Sequence, residues 1–280
     1  CRRSLRVFEL MINEAEITSH YGRNDLYSQI IIELRQAGIH QPTPQDLSAV
    51  DEFHIGGTDG TLLVANELKP MTSEKVLDIG CGIGGPARLI AANTGCSVTG
   101  IDLTKSFVET GNHLSRLVGL EDQVKLRTGN ALVLPFVESE FDSAYMIHVG
   151  MNIGDKDKLI SEAARVIKPG GRFVIYDVMQ IQNATLPYPL PWAETERTSS
   201  VSSPAAYLNA LARFGLVAIS SQNKRDFALQ CFERTIKNDA VNKPSALGLH
   251  LVMGPTMLQK TKNVQKQIKQ GVLAPFIITA

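Results

Sequence analysis

The sequence predicts an α/β fold in which helices cover both faces of a mostly parallel β-sheet. From residue 59 to about residue 178, short apolar runs alternate with segments of helical periodicity, which is the pattern of consecutive βα units. The first apolar run, at residues 76–79, leads directly into a glycine-rich turn and then into a helix. The composition suits such a core, because 44% of the 280 residues are hydrophobic and 28 basic residues balance 28 acidic ones.

The turn after the first strand has the sequence GCGIGG at residues 80–85 and follows Asp78. Its glycines fit the G-x-G-x-x-G spacing of dinucleotide-binding turns and also, counted from Asp78, the spacing acid-x-G-x-G-x-G. Glycine lets the backbone approach a ligand closely, and the helix behind the turn offers N–H groups and a positive dipole end. The turn therefore predicts a nucleotide-binding site, and the sequence downstream has to decide which nucleotide.

Three downstream stretches bear on that choice. The second predicted strand ends at Asp102, whose carboxylate can accept hydrogen bonds from the two hydroxyls of a ribose. The third predicted strand is followed by Gly129-Asn130-Ala131. The sequence KPGG at residues 168–171 is predicted to end a helix before the fifth strand, at residues 172–176.

Together these motifs resemble those of class I S-adenosylmethionine-dependent methyltransferases, over residues 18–223. The likeness is to the small-molecule group that includes the ubiquinone/menaquinone, sarcosine–dimethylglycine and phosphoethanolamine methyltransferases. It implies a Rossmann-like, seven-stranded sheet of order 3-2-1-4-5-7-6, whose last strand, predicted at residues 272–279, is antiparallel. It also implies S-adenosylmethionine as the cofactor and S-adenosylhomocysteine as the product. Asn130 stands where the family usually has an acid, so its amide oxygen would accept the adenine hydrogen bond without a charge.

The resemblance places the cofactor along the carboxyl edge of the first strands. Asp78 would pair with the ammonium group of the cofactor, directly or through water, and Asp102 would bind the ribose. Cys81 is expected to be a small spacer in the turn rather than a nucleophile. The residues expected to bind the cofactor are Asp78, Gly80, Cys81, Gly82, Gly84, Asp102, Leu103, Asn130, Ala131, Ile147 and Tyr21.

Histidines are the candidate bases, because their unperturbed pKa lies near neutral pH. His148 follows the predicted fourth strand, at the edge where cofactor and acceptor would meet; the alternative is a histidine bonded to the backbone at a strand end. His20 lies in the N-terminal segment, which in the resembling proteins folds over the cofactor, and His54 precedes a Gly-Gly pair. For His20 and His54, packing of the N-terminal segment onto the core is an equal alternative. His113 is expected on the surface.

The acceptor is expected to bind beside a long insertion at residues 179–202, which is rich in proline and follows the fifth strand. Long loops in compact domains are usually functional, so this segment is predicted to be a lid. Tyr188 and Trp192 would offer large apolar faces to the acceptor. Asn152 falls where sarcosine-type relatives carry a histidine, and an amide can orient an acceptor but cannot act as a base.

The chain is predicted to divide into an N-terminal helical cap at residues 1–57 and a methyltransferase domain at residues 58–280. A strand is predicted at residues 216–221. The helix before it, which begins after Ser203, is predicted to bury a stripe formed by Tyr207, Leu211 and Phe214.

Several classes of protein are excluded or disfavoured. The balanced charge gives no field that would attract nucleic acid. The sequence contains no run of about 18 apolar residues, so no membrane span is predicted. Four scattered cysteines without a C-x-x-C pair predict no metal site and a reducing, cytoplasmic location. The expected partner is a small-molecule acceptor, methylated at an amine nitrogen or an activated carbon, and the protein is expected to be a monomer or a homodimer.

Two other functions stay open at this point. An NAD(P)-dependent oxidoreductase would share the glycine spacing, although no tyrosine is followed by a lysine four residues later, as a short-chain reductase requires. A protein that binds S-adenosylmethionine without catalysing transfer would explain why Asn130 and Asn152 depart from the common pattern.

Overall fold

The computed structural model describes residues 25–241 and 247–280, and a seven-stranded sheet of order 3-2-1-4-5-7-6 forms its centre. The predicted order is therefore confirmed. The first five strands run parallel, and the last is antiparallel to both of its neighbours. The strands are β1 (Lys75–Ile79), β2 (Ser97–Asp102), β3 (Val124–Thr128), β4 (Phe141–Ile147), β5 (Ile167–Gln180), β6 (Ser220–Asn223) and β7 (Leu273–Thr279).

Helices connect and flank these strands in the described part of the chain. They are α1 (Leu26–Gln36), α2 (Pro44–Asp51), α3 (Thr58–Leu68), α4 (Gly85–Thr94), α5 (Lys105–Leu117), α6 (Lys156–Val166), α7 (Pro204–Arg213), α8 (Arg225–Val241), α9 (His250–Met253) and α10 (Met257–Lys269). Two short 3-10 helices, Gly150–Asn152 and Glu196–Thr198, interrupt the connections after β4 and β5.

Both faces of the sheet are buried, which the run of apolar residues in β1 requires. Leu77 and Ile79 point to the side covered by α6 and α7, whereas Val76 points to the side covered by α3, α4 and α5. Successive strand residues face opposite sides of a sheet, so the adjacent buried residues Val76 and Leu77 require cover on both sides. The helices cover the two faces of the sheet, and the carboxyl ends of its parallel strands are left uncovered by them.

The described part of the predicted cap packs on the same side as α5. Helix α1 buries Leu26, Ile30 and Leu34 in a cluster that includes residues of α5. Helix α2 begins with a capping box, in which Thr43 accepts from the Asp46 backbone N–H and Asp46 accepts from that of Thr43. The same cluster contains Ile83 of the glycine turn, so the cap helices lie close to that turn.

The KPGG stretch does not cap a helix as predicted. Helix α6 ends at Val166, and residues 168–171 already belong to β5. The reason is close packing between strands: a side chain at Gly171 would place its Cβ 2.4 Å from the Asp142 carbonyl oxygen on β4. Glycine is needed there for the approach of two strands rather than for the end of a helix.

The predictions for the segment after α7 are wrong in two details. Strand β6 begins at Ser220 instead of residue 216, because only residues 220–223 pair with β7. Val217 and Ile219 are 78% and 73% exposed, so these two residues are not buried although they are apolar. Phe214 is 36% exposed, and Ala210 takes its place beside Tyr207 and Leu211 in the buried stripe.

No helix in the described ranges is long and apolar enough to cross a membrane. Within the same ranges, no group of three or more His, Cys, Asp or Glu side chains is placed to hold a metal ion. His113 is exposed on α5, as predicted.

Candidate active site

A cavity opens at the carboxyl edge of the sheet, where β1, β2 and β4 end. Gly84 does not line this cavity; it precedes α4 with φ at 81°. His20 and Tyr21 lie outside the described residues. The cavity brings together the other predicted cofactor residues, namely Asp78, Gly80, Cys81, Gly82, Asp102, Leu103, Asn130, Ala131 and Ile147.

Backbone hydrogen bonds hold the glycine turn in place. The N–H groups of Gly80 and Cys81 both donate to the Ile101 carbonyl oxygen of β2, at 2.8 and 3.0 Å. Gly82 has φ at 54°, and a Cβ there would lie 2.7 Å from the Phe53 ring. A side chain at this position would therefore meet both backbone strain and a steric clash.

Asp102 organises the turn at the end of β2. Its carboxylate accepts from the Gly82 N–H at 2.9 Å and from the Thr104 N–H at 2.8 Å. Burial raises its pKa above the usual value, although these two donors oppose the rise. Asp102 thus acts on the shape of the glycine turn as well as facing the cavity.

Asp78 is a buried acid of the cavity, next to the Tyr145 hydroxyl. It is 2% exposed, and its Oδ2 atom is buried with no hydrogen-bond partner among the described residues. Burial raises its pKa from 3.8 to about 8. A buried carboxylate oxygen without a donor is costly, so this atom marks a place where a donor or a cation would be stabilised.

The side-chain amide oxygen of Asn130 forms a hydrogen bond with the backbone two residues further along the chain. Oδ1 accepts from the Leu132 N–H at 2.8 Å, as in an Asx turn. This bond fixes the Asn130 side chain at the edge of the cavity, which Asn130 also lines.

Two histidines lie side by side on the acceptor side of the cavity. The ring centroids of His54 and His148 are 5.8 Å apart, and the Tyr176 ring is 5.1 Å from that of His148. His148 takes a left-handed backbone conformation with φ at 53°, and its N–H donates to the Tyr176 carbonyl oxygen at 2.8 Å. Its ring Nε2 is buried and has no partner in the described ranges. Burial, with His54 adding to it, lowers the pKa of His148 well below the usual range.

His54 differs from His148 in its hydrogen bonds. Its Nε2 lies 3.0 Å from the Gly57 carbonyl oxygen, an arrangement in which the imidazole donates. Burial lowers its pKa to about 4. The neighbouring Glu52 carboxylate, 3.5 Å away, accepts from the Thr61 hydroxyl at 2.6 Å, and burial raises the pKa of Glu52 to about 8.

Sequence reasoning missed a buried ion pair beneath the turn. Arg88 of α4 is fully buried and donates to the Asp51 carboxylate of α2 at 2.8 Å and to the Ile83 carbonyl oxygen at 2.7 Å. The pair joins the cap to the glycine turn. The signal was present, since Arg88 is the one charged residue in an apolar helix and such a residue needs a buried partner.

The predicted acceptor residues divide between the cavity wall and the packing behind it. Asn152 and Trp192 line the cavity, and the Asn152 amide donates to the Trp192 carbonyl oxygen at 2.7 Å. Trp192 is 4% exposed, and its indole N–H donates to the Ser199 hydroxyl at 3.0 Å. Tyr188 does not line the cavity but packs against the cluster around Trp192. Met151, Ile153, Pro191 and Met253 add apolar surface to the wall nearby, which also includes the acid Asp155.

Comparison with known proteins decides between the two nucleotide interpretations. Residues 77–175, from β1 to the middle of β5, match a family model described as a methyltransferase domain. Residues 77–175 therefore carry a methyltransferase domain. The match sets aside the oxidoreductase alternative and confirms the predicted family and fold, with the glycine turn at the start of the matched region.

Individual relatives and solved structures agree with this assignment. The chain is 30% identical over 164 residues to methyltransferase GfsG from Streptomyces halstedii, covering 59% of this chain and 58% of the relative. It is 26% identical over 207 residues to a glycine/sarcosine/dimethylglycine N-methyltransferase from Actinopolyspora halophila, covering 74% of this chain and 34% of the relative. The chain thus spans less than two thirds of the length of these curated relatives.

The fold is also that of solved methyltransferase structures. Geranyl diphosphate C-methyltransferase from Streptomyces coelicolor A3(2) superimposes with a TM-score of 0.63 at 23% identity, covering 79% of this chain and 77% of that one. At this level of identity the likeness concerns the architecture alone.

Proposed function

We propose that the protein transfers a methyl group from S-adenosylmethionine to a small-molecule acceptor, at an amine nitrogen or an activated carbon. The observation that carries this proposal is the isolated Oδ2 atom of Asp78, buried in the cavity that the glycine turn and Asp102 also line. A cofactor that offers an ammonium group to one carboxylate and a ribose to the other fits this pair of acids.

The cavity provides a place for each part of the cofactor. Asp78 would bind the ammonium group and Asp102 the ribose hydroxyls, and Asn130 would lie beside the adenine. Cys81, Leu103, Ala131 and Ile147 would supply the surrounding wall. Gly80 and Gly82 would allow close approach, and Gly84 would act through the backbone conformation before α4 rather than by contact.

The bound cofactor supplies an already activated methyl group on a positively charged sulfur. The protein then has to align the acceptor and accept its proton. Alignment alone can supply about 7–11 kcal/mol of the barrier. The nucleophilic atom of the methyl acceptor would lie next to His148. The unpartnered Nε2 of His148 can accept a hydrogen bond from an N–H, O–H or acidic C–H group.

The low pKa of His148 keeps its imidazole neutral and able to accept at working pH. On methyl transfer the positive charge would pass from the sulfur to the acceptor, and the proton that the acceptor then loses would carry this charge to His148. His148 is therefore the proposed base. His54 would hold the His148 ring in position from the other side.

The apolar wall supports an apolar acceptor. Trp192 lines the cavity together with Met151, Ile153 and Met253. Asn152 would shape this wall by holding the Trp192 carbonyl oxygen, and Tyr188 would support it from behind. The acceptor we propose is thus a molecule with an apolar body and one nucleophilic nitrogen or carbon.

The surrounding segments complete the proposal. Residues 1–57, including His20 and Tyr21, would form a cap over the cofactor, and residues 179–202 a lid over the acceptor. Residues 58–280 would form the catalytic domain of a monomer or homodimer. The described cysteines, Cys81, Cys96 and Cys231, are free thiols, which supports a reducing location such as the cytoplasm.

Parallel calorimetric titrations with S-adenosylmethionine, S-adenosylhomocysteine and NADH test the cofactor. Binding of the two adenosyl ligands alone is expected; binding of NADH alone would refute the assignment. An acceptor screen of apolar amines and enolisable carbonyl compounds follows, with release of S-adenosylhomocysteine as the readout. Binding without turnover on any acceptor would favour the non-catalytic alternative.

A further inference from the structure

Lys156 is a buried lysine that the proposed chemistry does not use. It is the first residue of α6 and is 7% exposed. Its ammonium donates to the carbonyl oxygens of Gly150 at 2.8 Å and Ser200 at 2.9 Å, and also to that of Ile153. Three carbonyl oxygens around one ammonium satisfy all three of its N–H donors.

These carbonyls belong to two separate segments that meet at the acceptor side of the cavity. Gly150 and Ile153 flank the turn whose residues line the cavity, whereas Ser200 lies in the lid segment 179–202. The Ser200 N–H also donates to the Met151 carbonyl oxygen at 2.6 Å. Lys156 thus bridges the lid and the wall that the lid covers.

A second layer of contacts holds the ammonium from behind. Lys156 Nζ lies 5.4 Å from the centroid of the Tyr207 ring on α7, and the Tyr207 hydroxyl donates to Asp177 of β5 at 2.6 Å. A side chain on Gly150 would collide with both, since its Cβ would lie 2.2 Å from the Tyr207 hydroxyl and 2.4 Å from the Asp177 carboxylate. The turn is therefore packed directly against this layer.

We propose that Lys156 is a positioning residue whose ammonium holds the lid against the turn at residues 150–153 and so sets the position of Trp192 in the acceptor wall. Its importance for an acceptor rests on the proposed function, whereas the clamp itself can be tested without any acceptor. Loss of the ammonium leaves three carbonyl oxygens without their donor, and the lid is the segment that can move away to reach water.

Trp192 is the single tryptophan of the chain, so its fluorescence reports the lid directly. We would compare the wild type with Lys156→Met, with Lys156→Arg and with the control Lys158→Met on the same helix, whose lysine is exposed and pairs with Glu162. In Lys156→Met, Trp192 emission should shift to the red and acrylamide quenching should rise at least twofold. Lys156→Arg should restore part of the wild-type signal, and Lys158→Met should leave it unchanged.

The pH profile gives a readout that packing alone would not produce. Burial lowers the pKa of Lys156 to about 8, while Asp177 across from it, with a pKa of about 6, is already ionised there. Burial raises the pKa of Tyr207 well above its usual range, so that group stays neutral. The Trp192 signal of the wild type should therefore change with a midpoint near pH 8, and this transition should be missing in Lys156→Met.

Each outcome decides the proposal. Wild-type emission and quenching in Lys156→Met would overturn it. If both Lys156→Met and Lys156→Gln fail to fold by circular dichroism, Lys156 serves the fold as a whole and the local role is wrong. S-adenosylhomocysteine affinity, measured on the same samples, should stay within twofold of the wild type; absence of binding to the wild type itself would refute the proposed function and leave the fluorescence comparison valid.

Discussion

Replacing Asp78 with asparagine should stabilise the protein and weaken its cofactor binding at the same time. Asparagine has the same shape as aspartate and carries no charge, so the change removes the carboxylate with little repacking. Asp78 is buried, and its Oδ2 has no partner in the described residues. The gain in stability and the loss of affinity have the same cause. The Asp78 carboxylate is buried away from water in the ligand-free protein, and the cofactor's ammonium group needs its charge.

The size of the stability effect follows from the pKa. Asp78 has a pKa of about 8 in the folded protein against 3.8 as its usual value. Between these values the folded state holds a proton that the unfolded state has lost, so stability falls as pH rises from about 4 to about 8. At about 1.4 kcal/mol per pKa unit, this fall amounts to about 4 kcal/mol by pH 7 and at most about 6 kcal/mol above pH 8. Asp78→Asn should remove it.

The effect on binding has the opposite sign. An ammonium group binds the ionised carboxylate, so S-adenosylhomocysteine affinity should rise by up to about tenfold per pH unit between pH 5.5 and 7.5. Asp78→Asn should abolish this slope and cost about 1.5–3 kcal/mol of binding at pH 7.5, the value of a hydrogen bond to a charged group.

Denaturant unfolding and calorimetric titration at several pH values measure both quantities. The matched control is Asp142→Asn, at the opposite edge of the sheet, where the Lys168 ammonium lowers the pKa of the carboxyl. That variant should lose a little stability at pH 7 and bind S-adenosylhomocysteine normally. A variant of Asp78 that is less stable than the wild type at pH 8, or that keeps the pH dependence of binding, would refute the reasoning.

Three further substitutions test the remaining roles. Asp102→Ala should weaken cofactor binding by about 1–3 kcal/mol, since it removes a charged acceptor and the support of the turn; unchanged affinity in a calorimetric titration would contradict the ribose assignment. Gly82→Val should abolish binding while circular dichroism shows a retained fold, because a side chain there meets Phe53; a variant that still binds would show that the turn does not hold the cofactor. His148→Asn, which tolerates the left-handed backbone, should cut turnover far more than S-adenosylmethionine affinity, whereas the same change at His113 should leave both unchanged; equal losses at His148 would make it a binding residue.

The local parts of the site were predictable because they depend on neighbours in the sequence. A strand, a tight turn and a helix follow one another within residues 75–94, so the positions of Asp78 and Gly82 can be worked out from spacing alone. His148 was predictable for a similar reason, since the end of a parallel strand lies at the ligand-binding edge. The topology then carries these local units to one place.

Other features depend on contacts between distant segments and leave weak signals. Asp51 and Arg88 are 37 residues apart in the sequence, and Lys156 and Ser200 are 44 residues apart. No periodicity marks such pairs. The start of β6 was misplaced for a related reason: an edge strand is defined by its hydrogen bonds to β7, whereas apolar content at residues 216–219 indicates burial that no partner provides.

The two histidines of the cavity can be told apart by what their ring nitrogens contact. His54 Nε2 lies within hydrogen-bond distance of the Gly57 carbonyl oxygen, so its proton is engaged by the backbone and it cannot readily change partner. His148 keeps its Nε2 unpartnered at the cavity, and its backbone is held in a strained conformation by the bond to Tyr176. Strain of this kind persists only where surrounding contacts enforce it, and it is common at active sites. For these reasons we propose His148, rather than His54, as the residue that accepts the proton, and His54 as the residue that supports its ring.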